Sequence, residues 1–186
     1  MPSVDTAAIA ACVFAALFAG HQLGDHPIQR KSAMLAKGTP DDTRLADGTH
    51  PWTGWRACGQ HVATYTLTQA ATLVLVSVVA PLTVTGGLAA LAVSASTHAV
   101  IDRRWIVHAI IRAKQCQDWP EGPYLIDQSL HHGALLVAAV LAAAVTTAST
   151  LAIVAAACGA LVAAALAIER RRARSAADRI GDPHRF

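Results

Sequence analysis

One stretch limits the fold more than any other: from Asp127 to Ile168 the chain is almost continuously apolar. As helix, these about 42 residues would reach roughly 63 Å, about twice the hydrocarbon thickness of a bilayer. A single helix cannot be accommodated. The weakest helical stretch, Thr146-Thr147-Ala148-Ser149-Thr150, divides the run into two spans. Composition agrees, because 54% hydrophobic and 15% charged residues exclude an ordinary soluble domain. Aromatic residues are few, and Ala, Val and Leu fill the apolar runs, which suits closely packed helices. The runs are too long for barrel strands and do not alternate. The expected fold class is all-α: a polytopic membrane helix bundle with about five transmembrane helices and short interfacial helices.

The N-terminus, Met1-Pro2-Ser3-Val4-Asp5, carries an acid and no basic region, so the first apolar segment is expected to be retained rather than cleaved as a signal peptide. That first span runs from about Thr6 to Leu23. A short helix is expected next, with Asp25 as its cap and Pro27 in its first turn, ending near Lys37. Gly38 to Trp55 reads as a loop at headgroup level, rich in Gly, Pro, Asp and Thr. The second span extends from about Ala57 to Ala80, where Pro81 ends it. After an uncharged turn, the third runs from about Gly87 to Ile101. Trp105 to Ile111, followed by Arg112 and Lys114, is too short to span and reads as an interfacial helix. Residues 1–168 form one transmembrane domain, and Glu169 to Phe186 a basic tail. The four cysteines, Cys12, Cys58, Cys116 and Cys158, show neither disulfide-frame nor zinc-ribbon spacing, and two of them are expected inside the bilayer.

Charge fixes an expected orientation, since Lys and Arg in short loops concentrate on the cytoplasmic side. Five spans gather all fifteen basic residues into Gly24–Arg56, Asp102–Ile126 and the tail. The opposite side then has none. The N-terminus is expected outside and the C-terminus in the cytoplasm. The tail arginines Arg170, Arg171, Arg172 and Arg174 read as a topology signal with affinity for anionic lipid. Nucleic-acid binding is not expected, since no aromatic interleaving or DNA-binding motif accompanies them.

Chemistry concentrates at the cytoplasmic span ends. His21 and Asp25, His98 and Asp102, and, in reverse order, Asp127 and His131 are pairs one helical turn apart. Positions i and i+4 lie on one face about 6 Å apart along the axis, so both side chains can address one point. Nine histidines and ten aspartates give about one such pair by chance, so location carries more weight than number. Ionisable groups in membrane helices are expensive, and they face a bundle interior with a partner. One reading of each pair is a hydrogen bond or ion pair holding a helix end. The other is a shared metal or catalytic site, to which His61 contributes from a fourth helix. Imidazole with carboxylate suits zinc, or alternatively manganese or iron. Seven candidate ligands, His21, Asp25, His61, His98, Asp102, Asp127 and His131, would serve one ion with outer contacts, or two ions. Asp25, His61, Asp102 and Asp127 are the candidates for proton transfer. Tyr65, one turn after His61, is a proton donor or an interface anchor. Gln29, one turn after Asp25, is a ligand-orienting group or a solvated residue. His26, His108 and His132 read as interfacial, with His50 and His184 in loop and tail.

These residues in order, His21-x-Leu23-Gly24-Asp25-x-x-x-Gln29, His61 with Tyr65, His98-x-x-Ile101-Asp102 and Asp127-Gln128-x-x-His131, resemble the DUF3307 family of small bacterial and phage membrane proteins. The resemblance spans about Ala16 to Leu136. Pro27, the fifth span and the arginine tail depart from the family pattern, and none of them touches a candidate ligand. The resemblance implies a multi-pass protein of the bacterial inner membrane and no specific activity.

Two functions fit. The first is a membrane-embedded, metal-dependent hydrolase acting at the cytoplasmic leaflet on a lipid-like ester, amide or phosphoester. No Ser-His or Cys-His motif offers a competing nucleophile. The second is a non-enzymatic scaffold, regulator or transporter whose polar pairs lock the bundle, with transport disfavoured because mid-span positions are Ala, Val and Leu. Gly86-Gly87 and the alanine-rich last span would suit contacts within a subunit or in a homo-oligomer.

Overall fold

The computed structural model describes residues 4–181, with side chains for residues 5–176 and 178. Met1–Ser3, His184 and Arg185, which figured in the expectations for the N-terminus and tail, lie outside the described residues. Eight helices make up the described fold: α1 (Val4–Asp25), α2 (Lys31–Ala36), α3 (Asp42–Ala46), α4 (Trp55–Ser77), α5 (Val84–Asp102), α6 (Trp105–Lys114), α7 (Gly122–Ala144) and α8 (Ala148–Gly181). The membrane helix bundle is thus the observed architecture.

Local chemistry sets the ends. The Thr83 hydroxyl accepts from Gly86 N–H and starts α5 three residues earlier than expected. The residue before Pro81 is disfavoured in helical geometry, and α4 stops at Ser77, short of the expected Ala80. The long apolar run breaks between Ala144 and Ala148, as the threonine-rich stretch predicts. Arg104 adopts a left-handed conformation, φ 64°, which turns the chain sharply from α5 into α6. Two expectations are corrected. Asp25 does not cap a following helix, because α1 continues through it and its carboxylate is taken by tertiary partners. The Gly38–Trp55 loop contains the short α3, capped by the Asp41 carboxylate on Arg44 N–H at 2.8 Å.

The core is made of small and branched side chains from α1, α4, α5 and α7, among them Val13, Leu17, Leu73, Ala90, Val93, Leu135 and Ala138. Close approach is built in twice. A Cβ at Gly86 would run into the Ala142 carbonyl, so α5 and α7 meet backbone to backbone there. A Cβ at Gly20 would lie 2.8 Å from the Thr72 hydroxyl, and one at Gly24 would lie 3.1 Å from the Tyr65 ring. These two glycines, four apart on α1, let α4 lie directly against it.

α1, α5, α7 and α8 are long and apolar enough to cross a membrane. α4 is as long, at 23 residues, but less apolar. It turns its polar side chains inward: Tyr65 and Gln69 are fully buried, while Leu67, Val74 and Leu75 are about 70% exposed. Such an outward apolar surface suits lipid rather than water. The long helices alternate in direction, so the last turns of α1 and α5 meet the first turns of α4 and α7 at one end of the bundle.

Candidate metal centre

At that end, Asp25 from α1, His61 from α4, and His98 and Asp102 from α5 offer four ligand atoms that all lie within 4.8 Å of one another. His61 Nε2 is 3.1 Å from Asp25 Oδ1 and 3.0 Å from His98 Nε2. His98 Nε2 is 3.2 Å from Asp102 Oδ2. His61, His98 and Asp102 are buried, and Asp25 sits at the edge of burial. Two imidazole nitrogens and two carboxylate oxygens form a donor set suited to a first-row divalent ion. Asp102 Oδ2, although close to both histidines, makes no hydrogen bond of acceptable geometry, which leaves a buried carboxylate oxygen aimed at the centre. The residues therefore fit a metal ion.

The seven expected ligands separate into these four and a surround of three. His21 gives its Nε2 to Gln128 Oε1 at 3.1 Å instead of turning to Asp25. His131 Nδ1 donates to the Asp127 carbonyl at 2.9 Å, with the Asp127 carboxylate at 3.5 Å. The His131 ring still packs 4.5 Å from His98 and stacks 5.0 Å from His21, centre to centre, so all three pairs do converge. Tyr65 stacks on the His98 ring at 3.8 Å, and its hydroxyl bonds to Ser94 and Gln69, one turn deeper in the bundle. It positions His98 rather than reaching the centre. Gln29 Nε2 lies 2.8 Å from His61 Nε2 and 3.3 Å from Asp25 Oδ1, bracing the two. His132, expected at the interface, lies beside Phe18 and His21.

Lys37 is the participant that sequence reasoning missed. It is 4% exposed, with Nζ 2.7 Å from Asp102 Oδ1 and 3.4 Å from Asp25 Oδ1. No periodicity marks it, since it stands alone between a six-residue helix and a loop. Its placement comes from Arg103, whose guanidinium binds the Lys37 carbonyl at 2.8 Å. Arg103 is itself fully buried: it pairs with Glu169 of α8 at 2.7 Å, donates to the Thr53 carbonyl at 2.9 Å and lies over the Trp55 ring. Trp55 Nε1 closes the network on Glu169 at 2.8 Å. The cue available in sequence was a lone Glu169 following an apolar span opposite Arg103.

A cavity of about 340 Å³ opens from the cluster, with Asp25, Gln29, Lys37, Asp102, Arg104, His108, Tyr124 and Asp127 among its walls. His26 also lines it. The His108 imidazole, outside the spans, is held below its ordinary pKa by burial first and then by the charges of Arg112, Arg104 and Arg172. A second cavity on the other side of α2 reaches His61.

The four cysteines are free, with Cys58 buried and the others partly so. No curated protein and no solved structure matches the chain. The family described as protein of unknown function DUF3307 matches residues 52–158. The matched segment contains His61, His98, Asp102, Asp127 and His131, and the fold brings Asp25, which precedes it, against His61 and His98. With more than half of its length matched, the chain belongs to the DUF3307 family.

Proposed function

We propose that the protein holds one divalent ion, zinc in the first instance, through Asp25, His61, His98 and Asp102, and is a hydrolase for a lipid-like ester, amide or phosphoester. The carrying observation is the four-residue donor set with its unsatisfied Asp102 Oδ2, opening onto a polar cavity at the end of the bundle. Charge supports it. Two carboxylates face the single Lys37 ammonium, and any buried negative charge left unbalanced costs several kcal/mol unless a cation or proton joins it. A bound divalent ion would supply Lewis acidity and a water acidic enough to act near neutral pH. Asp127 stands on the cavity wall with its side chain 23% exposed, where it would accept the proton of an attacking water. Lys37 and Arg104 on the same wall would hold an anionic oxygen of the substrate. In this proposal α4 is a fifth span, the N-terminus lies outside, and the site faces the cytoplasmic leaflet of a bacterial inner membrane.

Elemental mass spectrometry on the detergent-purified protein and on a variant carrying His98→Ala and Asp102→Ala tests this. One equivalent of metal in the parent, its loss in the folded variant, and chelator-sensitive hydrolysis of lipid esters or phosphoesters are expected. Metal-free parent protein that stays so after incubation with zinc, manganese and iron would sink the metal reading.

Two observations favour a second reading, in which the cluster is an ion-pair lock in a non-enzymatic membrane protein. Lys37 already satisfies one oxygen of Asp102 at 2.7 Å. The Nδ1 atoms of His61 and His98 also lack the hydrogen-bond acceptors that usually orient metal-bound imidazoles.

A further inference from the structure

A third cavity, of about 520 Å³, lies between α3, α6 and α8, away from the candidate metal centre. Its walls are Asp42, Arg112, Ile168, Arg171, Arg172 and Ser175. Three arginines from two helices therefore line one space, although α6 and α8 do not pack against each other among the described residues. Arg172 spends one Nη on Asp42 at 3.0 Å, and its other, Nη1, is buried without an acceptor. A buried guanidinium nitrogen without a partner is costly, and its fork geometry matches phosphate oxygens. Asp42 balances one of the three arginine charges, and Glu169 is consumed by Arg103 and Trp55, so the patch stays positive. Arg170, next in sequence, lies over the Trp52 ring 4.8 Å away and does not line the cavity. The positive field extends along α6, where Arg104 and Arg112 stand two turns apart.

We propose that this cavity is a binding site for the phosphate of an anionic phospholipid headgroup. Its position argues for lipid. Ile168, in its lining, ends the apolar part of α8, whose spanning stretch is only 6% buried in the protein and so is free to face acyl chains. A phosphate held by Arg112, Arg171 and Arg172 would thus leave its chains lying along the exposed face of α8. The Ser175 hydroxyl is available as a further donor. This differs from diffuse attraction to a basic tail, because Arg112 comes from another helix and Arg174, outside the cavity, contributes only general charge.

The test is native mass spectrometry of the delipidated full-length protein in detergent, titrated separately with phosphatidylglycerol and phosphatidylcholine, with inorganic phosphate as a third arm read by thermal shift. Retention of one phosphatidylglycerol in preference to phosphatidylcholine is expected. Arg112→Gln should weaken it about five-fold, and Arg112→Gln with Arg172→Gln more than either alone. The control pair Lys31→Gln and Arg56→Gln, both exposed and away from this cavity, should leave retention unchanged. The Arg112 single variant keeps the test informative should loss of the Arg172–Asp42 pair impair folding. Equal weakening in the control pair, absence of headgroup preference, or saturation by inorganic phosphate at the same concentration would each overturn the proposal, the last by assigning the cavity to a soluble anion.

Discussion

Asp102 and Arg103 are neighbours in sequence, and each sits at the heart of a buried ionic cluster, yet the two clusters differ in how completely they are closed. Around Arg103, Nε, Nη1 and Nη2 all find acceptors in Glu169 or in the carbonyls of Lys37, Gly38, Pro51 and Thr53, and Trp55 covers the guanidinium face. Around Asp102, the atoms Asp102 Oδ2, His61 Nδ1 and His98 Nδ1 are buried without partners. A closed network fixes geometry, whereas an open one stores capacity to bind. The first therefore reads as a fastener for the loop and α8, the second as a site.

The largest effect that would break this contrast is on the closed side. Removing one partner of a buried pair strands the other charge, so Glu169→Ala should cost about 3–5 kcal/mol in thermal or denaturant unfolding. Pairing it with Arg103→Met should recover most of that loss, and a single variant as stable as the parent would end the fastener reading. Next comes Lys37→Met, which sharpens the open side. In a lock, two carboxylates lose their only ammonium and stability falls by about 3 kcal/mol whether or not metal is present. In a metal site, added zinc restores the melting temperature, because binding to the folded state alone stabilises it. Asp102→Asn should lower metal affinity by at least about ten-fold while leaving helix content in circular dichroism unchanged. The smallest effect belongs to Tyr65→Phe. Losing the hydroxyl contacts to Ser94 and Gln69 should cost about 1 kcal/mol and leave metal stoichiometry intact.

Much of the architecture was legible because apolar runs leave few choices: the helices carrying the three pairs follow from length, and the break near Thr147 from length together with a weak helical stretch. α8 was legible only to Ile168, since nothing in a basic polar tail announces that the helix continues unbroken to Gly181. The pairs were legible as faces, not as bonds. His98 and Asp102 do meet across their own turn, but His21 finds Gln128 and Asp25 finds His61, because spacing sets the direction of a side chain and tertiary packing chooses its partner. The glycines at 20 and 24 carried a readable cue for helix contact that the His/Asp spacing overshadowed. Lys37 carried none, because an isolated lysine in an irregular segment reads as solvated until the fold buries it.

Lys37 also belongs to both clusters at once, its carbonyl held by Arg103 and its ammonium by Asp102. The two clusters are thereby linked thermodynamically. If a cation displaces the ammonium from Asp102, the segment carrying Lys37 loses one of its tethers, and the loop held by Arg103 becomes easier to release. Reciprocity then requires that releasing the loop tighten cation binding by the same free energy. A protein–lipid boundary that disturbs the loop would thus be felt at the metal centre without touching any of its ligands.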